Sequence, residues 1–408
     1  MEKEDRDYFK LQKIILKAMG ISLYKNNGFL YKIYSILSLI IVVCFYTLIE
    51  SYGMYVFFDD IDKLASLVSL GVTHILGAIK VFVLLKNKKK IQKTLENLEE
   101  GIFKPNKERG GGYFEKELIS NCIKITQKQS FAYYTPATIV WAFVMIRPIV
   151  TKIKYEDYKM WQTPGVPFSL FELKKSPDFE LVSIFQGICL TIFSYIISST
   201  DLLIVGFIAH MKTQLLMLRN AIKRVTLHAA TLALKDGFGV DLEDPSTIPK
   251  NYLKLALKKI VIYHQSIIKL AYDFEDQFNV LVLTVFLANT AILCFTMYHA
   301  SLYPITNERS LQDFAFIVTI STQVFLYCYW GNELALESEK VAWTCYESDF
   351  VGAGCSFQKS LVLIMNRSQK PILLTAGKFT NLSLMTFVGI LRLSYSYYMV
   401  LRRNNEQN

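Results

Sequence analysis

The sequence predicts an all-α, polytopic membrane protein with seven transmembrane helices, and three observations carry that prediction. Hydrophobic residues make up 52% of the 408-residue chain, with a mean hydropathy of +0.28, and they come in long blocks rather than alternating with polar residues as in a soluble domain. Seven of these blocks approach or exceed the about 20 residues that a helix needs to cross a bilayer. The Lys and Arg residues gather in the stretches between alternate blocks, as the positive-inside rule requires of a protein with fixed orientation.

Residues 1–32 are rich in charge and lack the short apolar core that a cleavable signal places near the start, so the first apolar block is expected to be a true span. The spans are expected at 33–53, 64–85, 131–150, 179–210, 278–299, 311–331 and 379–401. The fourth is too long for a bare crossing and should tilt or continue beyond the membrane. Two of the long connections read as helical: 212–234 spaces Leu215, Leu218, Ile222 and Val225 on one face, and 252–274 does so with Leu255, Ile260, Tyr263, Ile267 and Leu270. The breaker-rich stretch 237–249 separates them, and Gly110 to Gly112 interrupt the connection after the second span. No fixed-period repeat is present, which disfavours a transporter of inverted halves.

The connections 1–32, 86–130, 209–277 and 332–378 hold 33 of the 45 Lys and Arg, and the opposite connections and tail hold nine. Lys80, Arg147 and Arg392 lie within spans. The N-terminus is therefore expected in the cytosol and the C-terminus outside. A G-protein-coupled receptor has the reverse orientation, and its Asp-Arg-Tyr and Asn-Pro-x-x-Tyr signatures are absent. The net charge of +10 suits a membrane surface and its lipids better than a nucleic acid, because it is spread over the interspan segments.

No catalytic constellation emerges. The five His show no metal-ligand spacing, and there is no phosphate loop or nucleophile elbow. The chain reads as a non-enzyme without cofactor or metal. Its seven scattered Cys suggest buried small hydrophobes rather than a disulfide framework. Asn366-Arg-Ser368 and Asn381-Leu-Ser383 match the glycosylation acceptor pattern, but the expected topology puts them in the cytosol and the membrane. Asp201 and Arg147 read as snorkelling or locally paired charges. Arg392, midway along the last span, either reaches pore water or pairs with another helix of the same subunit. That last span also carries Thr380, Asn381, Ser383, Thr386, Ser394 and Ser396, more polar groups than a plain anchor needs, which makes it a candidate channel wall.

A binding cavity is expected among the outer halves of spans two, three, four and six. Span two offers Val68, Gly71, Val72 and His74, and span three Trp141, Phe143 and Met145. Span four adds Phe185, Cys189 and Ile192, and span six Phe316, Thr319 and Ile320. This aromatic, sulfur-containing set with few hydrogen-bonding groups suits a small hydrophobic volatile, although ordinary helix packing also accounts for each residue singly.

The C-terminal region resembles that of the insect odorant receptor family. The resemblance is carried by Trp343, Tyr346, Ser348, Asp349, Phe350 and Phe357-Gln-Lys-Ser-Leu361, then by Met365, Arg367, Gln369-Lys-Pro371 and Thr375-Ala-Gly-Lys-Phe379. It continues through Leu382-Ser383, Phe387 and Ser394-Tyr-Ser-Tyr397. It implies a tuning subunit of a ligand-gated, non-selective cation channel, assembled as a heterotetramer with an odorant receptor co-receptor in the plasma membrane of a sensory neuron dendrite. By the same resemblance, 1–32 is a cytosolic segment, 33–342 the ligand-binding bundle, 343–378 a cytosolic anchor and 379–408 the pore helix with a short tail. Arg392, Ser396, Met399 and Val400 are then the pore candidates, with Val400 as the narrow hydrophobic ring. Arg402-Arg403 after Leu401 depart from the apolar continuation of the co-receptor and put two positive charges at the outer mouth. A homotetrameric gustatory-receptor-type channel is the alternative within this architecture. A non-conducting seven-span transporter or scaffold is the alternative outside it.

Overall fold

Long membrane helices continue well past the bilayer and pack against one another below it. The computed structural model describes residues 7–165 and 176–407, apart from positions 57, 60, 107, 108, 110 and 111. The first six residues of the charged N-terminal segment and residues 166–175 of the connection after the third span lie outside the described residues, as does Asn408. Helix α1 (Lys10–Ala18) precedes the first crossing, which is built from α2 (Phe29–Ser38), a π-helical stretch (Leu39–Tyr46) and α3 (Thr47–Val56). Then come α4 (Ile61–Lys86), α5 (Lys88–Glu100), α6 (Gly112–Lys154), α7 (Asp178–Lys223), α8 (Val225–Lys235), α9 (Lys250–Ser301) and α10 (Glu308–Tyr346). The chain closes with α11 (Cys355–Ser368), a hairpin of β1 (Thr375–Ala376) and β2 (Thr380–Asn381), and α12 (Leu384–Gln407). Seven of these helical stretches are long and apolar enough to cross a membrane.

At about 1.5 Å per residue, the 46 residues of α7 and the 52 of α9 are more than twice as long as a roughly 30 Å hydrocarbon layer. The sequence expectation of a helix over 252–274 followed by a span at 278–299 resolves into a single helix, because no Gly or Pro separates the two periodic stretches. The sixth helix likewise runs on to Tyr346, so the segment expected to begin at 343 starts inside α10. The expected helix 212–234 is instead interrupted at Arg224. From there α8 turns to bury Val225, Ala229, Ala230 and Ala233, small side chains that allow close approach of neighbouring helices. Inside α6, Pro136 and Pro148 are accommodated without ending the helix, as neighbouring helices and hydroxyl side chains permit in a membrane.

The N-terminal α1 is held against α7 by Tyr8, whose ring stacks on His210 at 4.9 Å, and by Phe9 against Phe207 at 5.0 Å. Lys13 of α1 bridges Asp7 at 2.7 Å and Glu99 of α5 at 2.9 Å. Below the membrane α7 and α10 are tied by Arg219, which donates to Glu337 at 2.7 Å and to Thr344 Oγ1 at 2.9 Å.

The last helix starts at Leu384, five residues later than the sequence suggests. Gly377 and Lys378 both adopt positive φ (59° and 64°), and Phe379 N donates to Ala376 O, which closes a tight hairpin before the helix begins. Ser383 then caps the helix by accepting the Thr386 N–H at 3.2 Å. The hairpin is sewn to α9: Gly377 N donates to Asn279 O at 2.9 Å, and Thr375 N to Glu275 Oε1 at 3.0 Å. On its other side the backbone of Leu382 presses against Gly331 of α10. A Cβ at Gly331 would stand 2.4 Å from Leu382 Cβ and 2.6 Å from its carbonyl oxygen.

That contact gives a test of how α12 is aimed. Gly331→Ala should destabilise the detergent-solubilised protein by about 2 kcal/mol through overpacking against backbone, visible as a lowered melting temperature. Gly389→Ala, where nothing lies within 4 Å of the added carbon, should not lower the melting temperature and should raise it slightly, because Ala favours the helix over Gly.

Candidate functional site

Where α4, α6, α7 and α10 meet, a charged cluster is sealed from solvent. Lys80 of α4 donates to Asp201 of α7 at 2.7 Å to Oδ1 and 2.9 Å to Oδ2. Three more donors converge on the same carboxylate: Tyr327 OH at 2.9 Å, Gln323 Nε2 at 2.7 Å and Tyr133 OH at 3.4 Å. Lys80 is fully buried and Asp201 nearly so, so each charge survives there only because the other, and the surrounding donors, replace water. Of the two accounts the sequence left for Asp201, local pairing is the one observed. The partner on α4 was not foreseen, since 121 residues separate the two.

Directly above this cluster lies a cavity of about 100 Å³ walled by α4, α6, α7, α9 and α10. An apolar cavity of about 150 Å³ admits benzene, so modest side-chain movement gives this one room for a small volatile. Leu70, Leu76, Val140, Val144, Leu190 and Ile197 form much of its wall. Polar groups collect toward the cluster: Tyr133, Ser198, Asn289 and Gln323. His74, on the wall, hydrogen-bonds through Nδ1 to Glu50 of α3, which ties the first crossing to the cavity. Trp141 lines the cavity, is 36% exposed and donates its indole N–H to Thr191 Oγ1 at 3.0 Å, so it stands at the cavity rim and joins α6 to α7.

Of the residues singled out from sequence, His74, Trp141, Phe316, Thr319 and Ile320 line this cavity together. The others sit around it without being among its lining residues. Gly71 faces Met54, whose sulfur would lie 2.9 Å from an added Cβ, and Met145 packs on Gly187. Val72 belongs to a small apolar cluster with Ile292 and Ile320, and Val68 and Phe143 are half-buried. Phe185 meets the Tyr46 ring edge-on at 6.3 Å, Cys189 is buried in the core, and Ile192 packs against it. The polar lining residues Asn289 and Gln323 were missed. Their signal was present, since each is an amide inside an apolar block, but only the fold brings the fifth helix to the cavity.

Helix α12 leans on α9 and α10 by one narrow face. Ile390 and Ser394 are buried there, and Ser394 Oγ donates to Thr290 O of α9 at 3.2 Å. Met385, Arg392, Ser396 and Met399 occupy the opposite face, and all are exposed, as is Val400 beside them. The Arg392 side chain has no hydrogen-bond or ion-pair partner among the described residues, so pairing within its own subunit, one of the two accounts expected from sequence, is not what the fold shows. Arg147 donates to Gln312 of α10.

The model of the 7tm odorant receptor family matches residues 60–395. The chain belongs to this family. It is accordingly a multi-pass membrane receptor of the odorant-sensing class and not an enzyme. Odorant receptor 82a of Drosophila melanogaster is 24% identical over 97% of this chain and 98% of its own length. Putative odorant receptor 85d of the same fly is 34% identical, over 36% of this chain and 35% of that relative. The olfactory receptor OR5 from Machilis hrabei superposes with a TM-score of 0.80 at 16% identity, covering 98% of both chains, and the same receptor in complex with eugenol gives 0.79. At that identity the structural likeness establishes the fold.

The buried cluster yields a double-mutant test. Lys80→Met and Asp201→Leu should each lower stability by about 3–5 kcal/mol, because each leaves a buried charge unpaired. The double variant should recover part of that loss and not all of it, since Tyr327, Gln323 and Tyr133 still lose their acceptor. Melting of purified protein and surface biotinylation read both effects.

Proposed function

We propose that this chain is the odorant-binding subunit of a heteromeric, odorant-gated, non-selective cation channel that works with an odorant receptor co-receptor in the plasma membrane of sensory neuron dendrites. A small hydrophobic volatile binds in the cavity, and the last helix lines the pore. The observation that carries this reading is the sharing of α9 between the two sites: Asn289 lines the cavity, and the backbone carbonyl of the next residue, Thr290, shares the hydroxyl of Ser394 on α12 with Ile390 O of that helix. A ligand that displaces Asn289 acts one residue away from one of the contacts that hold α12, beside buried Ile390 and the ring pair of Phe387 with Phe325. Coupling of this kind needs differential contact between two states, and a single hydrogen bond on a lightly packed helix is easily exchanged.

Two further features support the reading. The face of α12 bearing Met385, Arg392, Ser396 and Met399 carries a charge and a hydroxyl and points away from the bundle, a placement of Arg392 unfavourable against lipid and favourable against pore water. Val400, 57% exposed near that face, is suited to a hydrophobic constriction. At the inner end, Trp343, Tyr346, Leu363 and Phe379 are each 65% or more exposed, which supports subunit contacts through an anchor formed by 343–378. In this proposal residues 1–32 are cytosolic, 33–342 form the ligand-binding bundle, and the 379–408 segment ends outside the cell.

Whole-cell current under a panel of small volatiles, with and without an insect odorant co-receptor, tests the proposal. Odorant-evoked cation current that needs the co-receptor is the expected result. Current from this chain alone would replace the heteromer by a homotetramer, and silence with surface protein confirmed would sink the channel reading. Ile320→Trp, which fills the cavity, should raise half-activating concentrations by at least about tenfold without loss of surface protein. Val400→Ala should change resting current or ion selectivity while leaving ligand preference intact.

A further inference from the structure

The direction of every hydrogen bond at the cavity floor is set by Asp201. Paired with Lys80, Asp201 is a carboxylate and only accepts. Gln323 must therefore turn its amide nitrogen to Asp201, as it does at 2.7 Å. Its carbonyl oxygen Oε1 is then left facing Asn289, which has to answer with its own amide nitrogen, and Asn289 Nδ2 donates to Gln323 Oε1 at 3.2 Å. Flipping either amide would set acceptor against acceptor, or donor against donor. The relay Asp201–Gln323–Asn289 thus ends in one defined atom, Asn289 Oδ1. That atom is buried and has no hydrogen-bond partner. Asn289 is fully buried, and both it and Gln323 line the cavity.

A buried carbonyl oxygen without a donor is an unfavourable state that a ligand can relieve. Three of the five hydroxyl side chains that line the cavity are turned the other way. Thr73 donates to Ser69 O at 2.7 Å, Thr319 to Ala315 O at 2.8 Å, and Tyr133 to Asp201. Those hydroxyls give their hydrogens to protein acceptors and offer none to a ligand carbonyl. The unmatched group at the floor is an acceptor.

We infer that the cavity selects small, mainly apolar compounds carrying one hydrogen-bond donor (alcohols, phenols or aromatic N–H heterocycles) and that Asn289 Oδ1 accepts that donor. This rests on the proposal that the cavity is the odorant site. The donor lies at the cavity floor, and the apolar body fills the space toward Phe316 and Trp141. Compounds of the same shape without the donor fit the apolar wall but leave Asn289 Oδ1 unpaired. Asn289 is a specificity-determining residue contributed by the fifth crossing.

Matched pairs test this in cells carrying the chain with an odorant co-receptor: para-cresol against para-methylanisole, benzyl alcohol against benzyl methyl ether, and indole against N-methylindole. In each pair that evokes current, the donor compound should half-activate at a concentration roughly five- to tenfold lower, the factor one net hydrogen bond is worth. Asn289→Leu, close to Asn in size, should bring that ratio near unity in each pair that still evokes current. Equal potency within the pairs for the unmodified protein would overturn the donor assignment and leave the channel reading standing. A ratio preserved in Asn289→Leu would overturn the role of Asn289. If Asn289→Leu fails to reach the surface, the ratio in the unmodified protein decides. Silence to every compound, with surface protein confirmed, would overturn the odorant-site reading and this inference with it.

Discussion

The bundle depends on one buried carboxylate. Asp201 draws Lys80 from α4, Tyr133 from α6 and both Gln323 and Tyr327 from α10 onto α7, so four crossing helices are fixed in rotation and height by a single acceptor. Apolar side chains alone would not do this, because in a bilayer they gain little by facing one another instead of lipid tails. A charge at that depth has no acceptable place except against its partners, which makes the arrangement specific as well as costly to disturb.

The cavity follows from that constraint. Its floor is the upper surface of the Asp201 cluster, and the polar groups there are oriented by the same carboxylate. Its walls are mainly aliphatic and aromatic side chains, with His74, Trp141, Thr73 and Thr319 bonded to protein partners. The result separates two tasks: shape and apolar contact come from α4, α6, α7 and α10, while a buried, unmatched carbonyl oxygen comes from α9. Specificity in such a cavity is a difference between fits, and a lone polar atom among apolar walls discriminates more sharply than an extra methylene would.

The long helices give the molecule its second layer. Because α7, α9 and α10 run on without a break beyond their crossing segments, a rotation at the cavity is also a displacement at the far end, where Arg219 and Glu337 link α7 to α10. The hairpin at Gly377 and the close seat of Leu382 on Gly331 then aim α12 back across the membrane. That helix touches its own subunit along one narrow face, the least buried of the crossing segments, and this is the geometry the proposed pore requires.

Seven spans, the segregation of basic residues and the polar last helix were legible in the sequence because each depends on local composition or on a period of 3.6 residues. The continuity of α9 and of α10 was partly legible, since nothing in either stretch breaks a helix; only the habit of ending a span at the membrane surface concealed it. His74, Trp141, Phe316, Thr319 and Ile320 could be named from their place in three of the expected spans, but composition could not tell them from Phe143, Met145 or Phe185, which share their chemistry and are not among the lining residues. The pairing of Lys80 with Asp201, the entry of Asn289 into the cavity and the placement of Arg392 on the exposed face of α12 were decided by the tertiary structure alone. Each is a matter of helix rotation relative to a neighbour distant in sequence, and rotation about a helix axis is fixed by packing between chain segments rather than by any residue order within one.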